Sequence, residues 1–89
     1  MELDSYKYEI EELDQQIMDA FQSRMKIARQ AAIYRKSIDD DDWYSEDEIN
    51  AKLDSIESAA DEGLGEYCYR LLEYVMELSS EYESYAGND

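Results

Sequence analysis

The 89-residue chain has no histidine, no proline, one cysteine, three glycines, and only eight cations against 24 acids. Each scarcity excludes something. Without histidine there is no imidazole to bind a metal or carry a proton near neutral pH. Without proline, and with little glycine, almost nothing interrupts a helix, and the surplus of Glu, Leu, Ile, Met, Ala and Gln fits an all-α chain. Cys68 alone cannot form an internal disulfide, and within an apolar stripe it reads as core rather than as a nucleophile. No apolar run approaches the ~20 residues that a membrane helix needs. The acid-rich start "MELDSYKYEIEEL" does not resemble a secretory leader, so a soluble cytoplasmic protein is expected. The shortage of cations leaves a net charge of -16, which disfavours nucleic acid and anionic membrane as partners.

What is present is periodic. The chain is 44% hydrophobic, so it reads as folded rather than as an acidic disordered tail. One domain covering residues 1–89 is expected, with a core small enough to gain from association. Ile10, Leu13, Ile17, Ala20, Phe21, Ile27, Ala28 and Ala31 step by threes and fours along one helix face. With Asp4 or Ser5 as N-cap, the pattern predicts a first helix of about 30 residues, which the rest of so short a chain cannot cover. Pairing with a second copy is the expected remedy. After the acidic loop Asp39 to Asp42, Ser45 and Glu48 form a capping-box pattern, and Ile49, Leu53 and Ile56 make the stripe of a shorter second helix. Gly63 and Gly65 mark a stop and a turn. Tyr67, Cys68, Leu71, Leu72, Val75, Met76 and Ser79 predict a third helix continuing to about Tyr85, with "AGND" fraying. Trp43 is expected to cover the loop end of the core.

The few cations are unevenly placed. Five of the eight (Arg24, Lys26, Arg29, Arg35, Lys36) lie in "FQSRMKIARQAAIYRK", residues 21–36, which contains no acid. Lys7, Ile10, Asp14, Ile17, Phe21, Arg24, Ala28, Ala31 and Arg35 share one seam of the first helix. Arg24 and Arg35 are eleven residues apart, three turns plus about 20°, so they point the same way with small residues between them. Such a hollow suits a small dianion. The alternative is a seam ion pair that fixes register, with Asp14 or Glu83 as partner. Arg29, Lys36 and Lys26 fall off the seam and read as solvated. The "DDDDW" run lacks the alternating ligands, central Gly and closing Glu of a calcium loop, and reads as solvated too.

The stretch "EIEELDQQIMDAFQSRMKIARQAAIYRK" resembles the first helix of the all-α chorismate mutases, and "YVMELSSEYESY" resembles their closing helix. The likeness runs over about residues 5 to 85. It implies three helices, one long and two shorter, forming an intertwined helical homodimer that rearranges chorismate to prephenate without cofactor or metal. It also implies roles. Arg24 matches the arginine that clamps a substrate carboxylate. Arg35 stands at the lysine that reaches the ether oxygen. Lys7 stands where an arginine crosses from the partner subunit. Ser79 matches the serine near the substrate hydroxyl. Glu83 stands at a glutamine that donates to the ether oxygen, which a carboxyl can do only when protonated. Ser45, Glu48 and Ile49 occupy the Asp-x-x-Arg-Glu positions of the second helix, although a cap and a core stripe already explain them. Two other readings stay open: a binding or regulatory module that keeps the fold without the activity, and an activity like that of relatives that remove pyruvate from isochorismate.

Overall fold

The computed structural model describes residues 2–39 and 45–87, with side chains to Ser84. Asp40 to Asp42, Trp43 and the last two residues of "AGND" lie outside the described residues. The described residues form three helices and no strand: α1 (Glu2–Ser37), α2 (Glu46–Ala59) and α3 (Gly65–Gly87).

α1 has 36 residues, several more than its apolar series requires, and is about 54 Å long at 1.5 Å per residue. It starts at Glu2, so Asp4 and Ser5 lie inside it and neither is its cap. Glu2 and Asp4 in the first turn, with Arg35 and Lys36 in the last, oppose the helix dipole at both ends. The exit uses Asp39 at φ 57°, whose amide donates to the Lys36 carbonyl at 3.3 Å. Aspartate tolerates this left-handed conformation better than most residues.

α2 begins as its sequence predicts. Ser45 has extended backbone, and its hydroxyl accepts from the Glu48 amide at 3.1 Å. The helix ends at Ala60, whose amide donates to the Ile56 carbonyl at 3.1 Å. Gly63, at φ +86°, turns the chain back into α3. Gly65 then seats the start of α3 against α2: a Cβ there would lie 2.8 Å from the Glu57 carbonyl oxygen.

Among the described residues α3 packs on both α1 and α2, and those two do not pack on each other. The result measures 56 × 28 × 14 Å, barely thicker than one helix with its side chains. Leu53 is the only buried hydrophobic residue described, and α1 buries none. Cys68, Leu72, Val75 and Met76 are half-buried. The third-helix stripe divides, because Tyr67, Leu71 and Tyr74 are all more than half exposed on a different face. The N-terminal half of α1 likewise exposes Leu3, Tyr6, Ile10, Leu13 and Ile17, at heptad spacing. No helix among the described residues is long and apolar enough to cross a membrane.

Candidate active site

The three helices meet around a cleft of about 580 Å³, within the range usual for small-molecule sites. α1 lines it with Ser23, Arg24, Ile27, Ala28 and Arg35. α2 contributes Ile49 and Lys52, and α3 contributes Met76, Ser79, Ser80 and Glu83. The eleven-residue interval places both arginines on the wall facing α3, with Ala28 leaving room between them. Three cations face one carboxylate, a surplus of two positive charges in a chain of net charge -16.

Arg24 is held in place. Its Nη1 donates to the Ser79 hydroxyl, which in turn donates to Met25 Sδ at 3.3 Å. Ser79 is 4% exposed, so this relay is shielded from water and fixes where the guanidinium can point. A hydroxyl has one proton, and here it is committed to the thioether. Ser79 therefore orients Arg24 before it can serve any ligand. Arg35 and Glu83 are half-buried in the cleft walls.

Arg24, Arg35, Ser79, Glu83 and Ile49, all predicted site residues, are brought together here. Ser45 and Glu48 do not line the cleft, and both are exposed at the start of α2, where they form its cap. Lys7 is exposed on the N-terminal half of α1 and is not part of this cleft within one chain. Arg29 also lies elsewhere: it donates to the Tyr82 hydroxyl at 3.3 Å and its guanidinium sits 5.6 Å from that ring's centroid. Tyr82 joins Phe21, Met25, Leu78 and Glu81 around a separate, shallow apolar hollow.

Lys52 and Ser80 are cleft residues that sequence reasoning missed. For Lys52 a signal existed. It is the only cation between Lys36 and Arg70, and it stands three residues after Ile49, on the same helix face.

An all-helical cleft with excess positive charge, and no histidine in the chain, defines a protein suited to holding a small dianion by electrostatics. The sequence matches the family model for chorismate mutase type II over residues 6–84, and the chain belongs to that family. Comparison with curated proteins and with solved structures finds no match in either.

Proposed function

We propose that the chain is a chorismate mutase, converting chorismate to prephenate at the branch toward phenylalanine and tyrosine. The observation that carries this reading is the pair Arg24 and Arg35 on the α1 wall of a cleft that Glu83 of α3 also lines. The reaction is unimolecular: the ether C–O bond breaks as a C–C bond forms. It needs no nucleophile, only a compact substrate conformer and stabilisation of the negative charge that grows on the ether oxygen. Arg24, fixed by Ser79, clamps one carboxylate. Arg35 meets the ether oxygen as charge develops, and Glu83 in its protonated form donates a second hydrogen bond there.

The working unit in this reading is a homodimer, with Lys7 of the partner chain reaching the second carboxylate. Three observations support it. The chain exposes 7453 Å², whereas a compact chain of 10.5 kDa exposes about 5,400 Å². The excess, about 2,000 Å², is of the size that obligate dimers bury. The radius of gyration is 16.4 Å, against about 12 Å for a compact chain of this length. The α1 charge pattern also chooses an orientation. Residues 2–20 hold seven acids and one cation, and residues 21–36 hold five cations and no acid. Antiparallel pairing sets each acidic half against a basic half and brings Lys7 toward the Arg24 end of the other chain.

The test is chorismate consumption by the purified protein with the product identified, and Arg24→Ala as control. Prephenate formed by the parent and lost by at least about a hundredfold in the variant is the expected result. Pyruvate released from isochorismate would support the lyase reading instead. No turnover by a folded dimer would support a binding module, the reading favoured by the hydrocarbon of Ile49 on the cleft wall.

A further inference from the structure

We propose that Lys52 is a substrate-binding cation that takes a carboxylate of the dianion from the α2 wall of the cleft. The inference rests on the chorismate reading above and deepens it. α2 carries five acids and one cation, and the one cation is a residue that lines the cleft. The other two cleft cations, Arg24 and Arg35, both project from α1. Without Lys52 the positive charge would be confined to one wall. With it, a ligand bearing two carboxylates is held from two sides, across a gap that α3 floors with Ser79, Ser80 and Glu83.

The placement is set by the helix. Lys52 precedes Leu53, the buried anchor of α2, and follows Ile49 by three residues, so the anchoring of Leu53 fixes the direction in which Lys52 leaves the backbone. Ile49 also lines the cleft, about one turn before Lys52, and Lys52 itself is exposed. A flexible ammonium is a point charge without the fork of an arginine. It suits attraction of a carboxylate in the ground state better than tight alignment of a transition state.

The competing explanation is structural. Glu48 lies four residues N-terminal to Lys52, the favourable orientation for a helix ion pair, and Glu83 shares the cleft. The two explanations separate in the kinetics. A ground-state contact raises KM and leaves kcat nearly unchanged, whereas an ion pair that only supports the fold lowers the melting temperature.

The experiment compares Lys52→Gln and Lys52→Arg with the parent and with Lys26→Gln, which removes an exposed cation outside the cleft. Chorismate turnover, chorismate binding by calorimetry and thermal melting are measured for each. The expected result is a KM about tenfold higher for Lys52→Gln, with kcat within about twofold and an unchanged melt. Lys26→Gln stays near the parent, and Lys52→Arg, which keeps the charge, recovers most of the KM that Lys52→Gln loses. An unchanged KM for Lys52→Gln, or equal loss in Lys26→Gln, overturns the proposal. If the parent binds chorismate without turning it over, the mutase reading fails, and a weaker dissociation constant in Lys52→Gln still upholds Lys52 as a ligand cation. If the parent neither turns over nor binds chorismate, both fall.

Discussion

In the proposed dimer, replacing Ile10 and Ile17 together by glutamine should separate the two chains and remove the proposed activity. Both residues sit on the exposed seam of α1, 57% and 49% accessible in the single chain. Fully burying an isoleucine is worth about 1.5–3 kcal/mol. About half of each side chain remains to be covered, so each contributes roughly 1 kcal/mol to pairing. A symmetric dimer loses four such contributions, about 4 kcal/mol, which weakens the dissociation constant by about three decades. Glutamine is chosen because it is uncharged and favours helix, leaving α1 itself intact. Sedimentation over a concentration series reads the dissociation constant, and chorismate turnover at the same concentrations reads the site. Activity should follow the dimer fraction, because in the proposed reading Lys7 crosses between chains. A dissociation constant within a few-fold of the parent would refute the assignment of this seam to pairing. A fully active monomer would refute the crossing Lys7.

Glu83→Gln should raise chorismate turnover, because an amide always carries the N–H that a donor to the ether oxygen needs, whereas a carboxylate carries none. Turnover unchanged or lower in the variant would exclude this position as that donor. Ser79→Ala should leave the fold assembled but free the Arg24 guanidinium, lowering stability by about 1–2 kcal/mol and kcat/KM by about tenfold; an unchanged kcat/KM would mean that Arg24 needs no such holder. Gly65→Ala should destabilise by about 1–3 kcal/mol in denaturant melts, since the new methyl meets backbone, the Glu57 carbonyl. Gly63→Ala, in open space but at φ +86°, should cost only about 1 kcal/mol.

The number and order of the helices were legible because their signals are local. Ser45 as a cap needs only Glu48 three residues on, and Gly63 and Gly65 mark the turn by themselves. The start of α1 was less legible. Acids in a first turn look like caps, yet Leu3 and Tyr6 continue the seam and the helix runs through them. The third-helix stripe misled for another reason. An apolar pattern does not say which of its residues a neighbouring helix covers, so Tyr67, Leu71 and Tyr74 look like core although they are exposed in the single chain. In the cleft, Arg24 and Arg35 were legible from an eleven-residue interval on one helix. Lys52 was not, because its importance depends on how α2 sits across from α1. That relation is set by α3, far along the chain.

Among the described residues the backbones of α1 and α2 both approach α3 and not each other, which bears on how such a site can change over generations. A charge on α2 can appear, vanish or shift by a turn without moving the stretch of α1 backbone that carries Arg24 and Arg35. Constraint gathers instead on α3, where Ser79 and the Gly65 seat hold both walls at their distance. Drift should accordingly be fastest along α2 and slowest along the inner face of α3, and ligand preference would be rewritten from the second helix first.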